Sequence, residues 1–185
     1  MKNVLLVVSG PSGVGKGTLV KELISRRSDV VESVSCTTRE PREGEINGKH
    51  YFFLSKEEFF KRVKDGDFLE YDEHMSGAYG TPRSFVQETL KTKSVIMEID
   101  VVGGLNVKKE YPELVLVFIM PPSKEELVRR LTGRNSETPE AIEDRLSRMD
   151  FEISKVPEYD YTIVNDDFET ALQELSDLID REKLK

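Results

Sequence analysis

Two short stretches hold side chains that could do chemistry together. Gly10-Pro11-Ser12-Gly13-Val14-Gly15-Lys16 fits G-x-x-x-x-G-K, a loop whose backbone N–H groups turn inward around phosphate oxygens while the lysine adds a full positive charge. That pattern asks for a hydroxyl directly after the lysine, to reach a magnesium ion. Here the place holds Gly17, and Thr18 follows one residue later. The cradle is kept, but a metal would lean on waters, substrate phosphates and a distant carboxylate. The second stretch sets Arg39 and Arg42 either side of Pro41, with Ser35, Thr37 and Thr38 just upstream. Guanidinium forks suit phosphate oxygens. Spacing alone leaves two readings open, a phosphate clamp or a solvated loop whose acids cancel its bases.

The elements that must position these groups are legible. Asn3 to Ser9 is a compact apolar run of the kind buried on both faces of a parallel sheet, and a helical pattern from Lys16 to Arg27 follows the glycines. Similar runs recur at Ser94–Asp100, Leu114–Met120 and Tyr161–Val164, with helical segments between them. This predicts an α/β fold with a parallel sheet flanked by helices. Ser55-x-x-Glu58 and Ser123-x-x-Glu126 read as capping boxes, and Thr81-Pro82 and Thr138-Pro139 as caps before a first-turn proline. A last helix runs from about Asp167 to Arg181, with Asp166 and Asp167 as its caps.

Two regions break the rhythm. Residues 34–81 are polar and turn-rich, with strand-like Lys49–Leu54 and Asp67–Glu73, and read as a small antiparallel insertion with a short helix. Residues 125–156 are helical, rich in arginine and interrupted near Gly133, as a mobile lid would be. Core then comprises 1–33, 82–124 and the C-terminal strand and helix at 157–185.

Bulk composition narrows the class. At 185 residues and 37% hydrophobic content, the chain suits one domain with small excursions. A net charge of −8 disfavours a broad nucleic-acid surface, while locally gathered arginines still admit small anions. The apolar run Val4–Val8 is too short for a signal peptide or a membrane span, so a soluble cytoplasmic protein is expected. The single Cys36 excludes an internal disulfide and reads as an unreactive small residue. His50 and His74 have no evident partners and read as exposed bystanders.

With these pieces placed, SVSCTTREPREGEINGKHYFF (from Ser33), FLEYDEHMSGAYGTP (from Phe68), RLTGRNSETPEAIEDRL (from Arg130), IVNDD (from Ile163) and the glycine loop resemble the guanylate kinase family along nearly the whole chain. The resemblance implies a P-loop sheet with a small mixed α/β GMP-binding insertion and a helical lid. It implies transfer of the γ-phosphoryl group of Mg-ATP to GMP, giving ADP and GDP in purine nucleotide metabolism. ATP would contact Gly10, Pro11, Ser12, Gly13, Val14, Gly15, Lys16, Gly17 and Thr18, with Arg130 and Asn165 beside the adenine. Ser35, Arg39, Arg42, Tyr51 and Tyr79 would hold the GMP phosphate, with Gly80 alongside. Glu70 and Thr81 would read the guanine. The resemblance leaves Asp100 to the GMP side or to magnesium-bound water. Lys16, Arg39, Arg42, Arg134 and Arg145 would stabilise the transferring charge, and Arg129 and Arg148 read as solvated. Mg²⁺ is the implied cofactor, held mostly through water and phosphates, and no protein partner is implied.

Departures from the family pattern are Glu98 where aspartate is common, Ala78 where tyrosine is common, and Asn135 where glycine follows the lid arginine. Two other classes compete. A scaffold-type binding module usually loses the glycine loop, which is intact here; another nucleoside monophosphate kinase would not call for Glu70 or the 35–51 stretch.

Overall fold

The computed structural model describes residues 2–74, 77–132 and 139–185, with the side chains of all of these except 74, 130–132 and 139–145. In chain order the core begins with β1 (Leu5–Ser9), α1 (Lys16–Arg26) and β2 (Val30–Glu32). The insertion follows with β3 (Cys36–Thr37), β4 (Phe52–Phe53), α2 (Lys56–Lys64), β5 (Phe68–His74) and β6 (Gly77–Pro82). The core resumes with α3 (Arg83–Thr89), β7 (Ser94–Glu98), α4 (Val101–Glu110) and β8 (Val115–Met120). Then come α5 (Lys124–Thr132), α6 (Pro139–Ser154), a 3₁₀ turn at Val156–Glu158, β9 (Tyr161–Val164) and α7 (Phe168–Lys183).

Alternation along β1 explains the layering. Leu6 and Val8 point into a core shared with α1 and α7, whereas Leu5 and Val7 point into a core shared with α3 and α4. A strand apolar at its first four positions and buried at all five is thus covered from both sides. The five-stranded sheet has the order β2-β7-β1-β8-β9, and every pairing in it is parallel. Because the strands run the same way, the ends of β1, β7, β8 and β9 open together on one rim, where parallel α/β sheets bind ligands.

The outcome matches the expected fold class and corrects several details. β2 was not anticipated; three residues, Val30 to Glu32, are too few to show a period, yet they pair with β7 at the sheet edge. The insertion carries its own sheet, β4-β3-β6-β5, and is mixed rather than antiparallel, since β3 and β4 run parallel. Of the strand-like Lys49–Leu54, only Phe52–Phe53 pairs as strand, because turns take up the preceding backbone: Gly48 N donates to Tyr51 O, and Ile46 N donates to His50 Nδ1 at 2.9 Å. His50 therefore has a partner after all.

Helix starts also sort themselves. Both halves of the Ser55–Glu58 capping box form. Glu126 N donates to Ser123 Oγ, while the Glu126 carboxylate holds Arg129. Asp167 caps α7 by accepting from Thr170 N. Thr81 is not a cap: it is the penultimate residue of β6, and Pro82 precedes α3 instead. Pro139 opens α6, with Thr138 outside the described residues.

Small hydrophobic cores fasten the excursions. Phe59 of α2 stacks on Phe68 of β5 with ring centroids 4.7 Å apart, beside the fully buried Cys36. Burial raises the Cys36 thiol to about 11, keeping it protonated as its unreactive reading requires.

Two substitutions test this frame. Leu6→Ala, at a fully buried site in the central strand, is expected to lower unfolding free energy by about 2–5 kcal/mol in urea titration. Asn165→Ala removes the buried side-chain donor 2.7 Å from Val14 O and is expected to cost about 1–3 kcal/mol in the same measurement.

Candidate functional site

On the donor side, the chain leaves β1 through a turn that only glycine tolerates. Gly10 has φ +146°, and a Cβ there would stand 2.3 Å from Ile119 O of β8. The loop then ends at Gly15, φ +96°, which caps α1 without a side chain, and no acidic residue sits in the helix's first turn. The first N–H groups of α1 and its positive end are left for an anion. Asn165, just past β9, ties the loop down through its bond to Val14 O. Ser12, Gly13 and Thr18 lie exposed on the rim, with Pro11 and Val14 tucked beneath.

Lys16 folds back onto its own loop. Its ammonium donates to Gly10 O at 2.6 Å and Pro11 O at 3.2 Å. Burial draws its pKa below the ordinary lysine value, and the charges of Glu98 and Glu152 oppose that shift. A phosphate offering full negative charge would compete well for this cation against two neutral carbonyls.

On the acceptor side, a carboxylate stands ready in a sheltered place. Thr81 Oγ1 donates to Glu70 Oε1 at 2.7 Å across the β5–β6 ladder, and the Ser35 hydroxyl stands 3.5 Å from the same threonine. The threonine's one proton is committed to Glu70, so any bond at that longer contact must have Ser35 as donor. Glu70 Oε2 faces the first turn of α4, near Gly103. Burial raises the Glu70 pKa, the Thr81 bond works against the rise, and the Asp100 charge adds to it. Asp100 itself caps α4, accepting from Gly103 N at 2.7 Å.

The arginine loop is ordered around Glu45. Arg39 makes a two-point pair with Glu45 at 2.8 and 2.9 Å and lies over the Tyr51 ring at 5.5 Å. Arg42 N donates to Glu45 Oε2 at 2.7 Å, while the Arg42 side chain is exposed. The Arg39 guanidinium, with help from Arg42 N, holds the Glu45 carboxyl down to about 2. Tyr51 and Tyr79 meet edge to face at 5.9 Å beside this pair.

Two cavities record the geometry. One of 740 Å³ is lined by Ser35, Tyr51, Glu70, Tyr79 and Asp100 among others, and one of 440 Å³ by Gly10, Ser12, Lys16 and Glu152. They join at the carboxyl end of β7, where Glu98, Ile99, Asp100 and Arg148 line both. Arg39, Arg42, Gly80 and Thr81 line neither wall directly; Gly80 packs against the Phe68 ring behind the site. Arg134 and the side chains of Arg130 and Arg145 lie outside the described residues.

Three residues near the site stand outside the sequence expectations. Arg148 is exposed, as its solvated reading has it, and also lines both cavities, while Glu152 lines the smaller one together with Lys16. The signal was available: Arg145, Arg148 and Glu152 repeat at i, i+3 and i+7, one stripe of a helix. Glu45, given no separate role by either open reading of the arginine loop, pairs with Arg39 at two points.

Comparison with known proteins follows the same outline. The family model described as guanylate kinase matches residues 2–182. The guanylate kinase of Clostridium tetani is 49% identical over 185 residues, covering 100% of this chain and 88% of that relative. The guanylate kinase of Clostridioides difficile is 46% identical, with 100% and 90% covered. The crystal structure of guanylate kinase from Anaplasma phagocytophilum superposes with a TM-score of 0.78 at 36% identity, covering 100% of this chain and 88% of that one. The family model and the full-length similarity agree, and the chain belongs to the guanylate kinase family.

Proposed function

We propose that the chain transfers the γ-phosphoryl group of Mg-ATP to GMP, giving ADP and GDP. The observation that carries this reading is the junction of two cavities at the end of β7, one beside a phosphate loop and one beside a buried carboxylate. Donor and acceptor nucleotides seated in them would meet over Asp100. The working division is a core (1–33, 82–124, 157–185), a GMP-binding insertion (34–81) and a lid (125–156).

ATP phosphates would lie along the N–H groups of 10–18, with Lys16 swinging from its loop carbonyls to the transferred phosphate, and Arg130 and Asn165 beside the adenine. Oxygen donors at this junction, the carboxylates of Glu98 and Asp100, fit a hard cation such as Mg²⁺. Among the described residues no three potential ligands gather, so water and phosphate oxygens would fill most of its shell. The chemistry such an ion would supply is neutralisation of charge on the nucleotide phosphates.

On the other side, Arg39, Arg42, Tyr51, Tyr79 and Ser35 would take the GMP phosphate. Glu45 already holds Arg39 in a two-point geometry, so little side-chain entropy remains to be lost on binding. Glu70 explains base choice: guanine offers N1–H and N2–H₂ donors side by side, whereas adenine turns an acceptor at N1 toward the same oxygens. Attack by a GMP phosphate oxygen in line with the leaving ADP then needs charge neutralisation rather than a proton shuttle. Lys16, Arg148 and the lid arginines Arg134 and Arg145 would supply it, and closure would exclude water. Among the described residues no helix is long and apolar enough to cross a membrane; cytoplasmic residence belongs to the same proposal.

A coupled ADP-release assay with Mg-ATP and, separately, GMP, AMP, UMP and CMP should give strong turnover with GMP alone; equal rates on AMP would overturn the acceptor assignment. Lys16→Ala is expected to lower kcat by about 100-fold or more while the far-ultraviolet circular dichroism spectrum stays native.

Glu70→Gln separates selectivity from folding. Because burial raises the carboxyl pKa, the folded chain binds that proton more tightly than the unfolded chain does, and the residue's contribution to stability falls as pH rises through the carboxylate range. The neutral amide removes that cost. At pH 7 the variant should melt no lower than wild type, yet lose about 10-fold or more of its GMP-over-AMP preference. In wild type, the GMP-over-AMP preference should fall as acidification protonates Glu70, a dependence the variant should lack.

A further inference from the structure

Gly17 is not a glycine for conformational reasons. It stands outside the positive-φ glycines and is the second residue of α1, a place any residue can take. What singles it out is room: a Cβ there would lie 3.1 Å from Glu98 Oε2, 3.5 Å from Oε1 and 3.7 Å from Cδ. Oε2 crowds the spot from which a side chain after the lysine would grow, and Oε1 and Cδ stand in van der Waals contact with it. Glu98 comes from the last position of β7, whose register with β1 sets it opposite Val8, just before the loop. Its side chain is exposed and lines both cavities. Its charge reaches Lys16 at the start of α1.

A hydroxyl-bearing side chain at 17 and the Glu98 carboxylate therefore compete for one place. We propose that Gly17 and Glu98 act as a pair, the glycine vacating the place and Glu98 supplying there the oxygen that a hydroxyl would otherwise bring to the metal bound with ATP. This rests on the ATP-binding reading above. The substitution has an electrostatic consequence that a hydroxyl lacks. A carboxylate adds a negative charge beside the phosphates, so it repels bare ATP and attracts the metal-loaded form. Glu98 thus makes the site select for metal-bound nucleotide.

The deciding quantity is the ratio of ATP dissociation constants without and with metal, measured by titration calorimetry in EDTA and in excess Mg²⁺. It is compared among wild type, Glu98→Gln, Gly17→Ser and Gly17→Ser/Glu98→Asp, the last lengthening one side chain and shortening the other by one methylene. Each single variant is expected to lower the ratio by about 5-fold or more, and the double variant to recover most of that loss, as coupled neighbours do. Were Glu98 only a counter-ion for Lys16, Glu98→Gln would tighten both forms of ATP alike, and a ratio within about 2-fold of wild type would overturn the proposal. Additive losses in the double variant would overturn the pairing. Failure of wild type to bind ATP in either buffer would instead overturn the underlying reading, and the inference with it.

Discussion

An ammonium group held partly out of water inside a turn of backbone is the constraint around which the rest is arranged. Lys16 is drawn in by the carbonyls of Gly10 and Pro11, at 2.6 and 3.2 Å. Desolvation penalises its charge, and Glu98 and Glu152 counter that penalty from β7 and α6. The turn exists only because Gly10 passes against Ile119 O where no Cβ fits, and it stays closed because Asn165 reaches across from β9 to Val14 O. Four neighbouring strands thus converge on one cation, which is why the sheet order β2-β7-β1-β8-β9 matters to chemistry and not only to packing.

The acceptor side follows a similar logic with the sign reversed. Glu70 is an acid kept in a sheltered place, steadied by Thr81 and crowded by the charge of Asp100. Arg39 is a base kept partly buried and steadied by Glu45 and Tyr51. Neither arrangement is what stability alone would select, since desolvating an ion costs more than a surface pair returns. The cost is offset by apolar packing elsewhere: the two cores either side of β1 and the Phe59–Phe68 stack within the insertion. Rigid layers carry the ions, and the ions keep their geometry ready for ligand.

Reading the residues in order recovered the core because its signals are local. A compact apolar run, a glycine loop and a helix starting directly after it are all written within the stretch from Asn3 to Arg27. The same holds for the Ser55–Glu58 box and the Asp167 cap, whose partners lie three residues away. β2 went unseen because three residues carry no period, and Thr81 was misread because a hydroxyl before proline serves equally as a cap or as a strand donor. Only the β5–β6 ladder, which brings Glu70 across from Thr81, decides between them.

By itself, then, the sequence determined the class of fold, the phosphate loop and the family, since each rests on contiguous residues whose spacing has a direct physical meaning. Tertiary structure alone decided who meets whom across the sheet. Arg148 and Glu152 of α6 line the cavity beside Lys16 from 132 and 136 residues further along the chain. Gly17 and Glu98 are separated by 81 positions, yet a Cβ at 17 would stand 3.1 Å from the Glu98 carboxylate, because parallel pairing of β1 with β7 carries both to one rim. Such meetings depend on strand order and register, which are set by burial summed over the whole chain and leave no mark on any short segment.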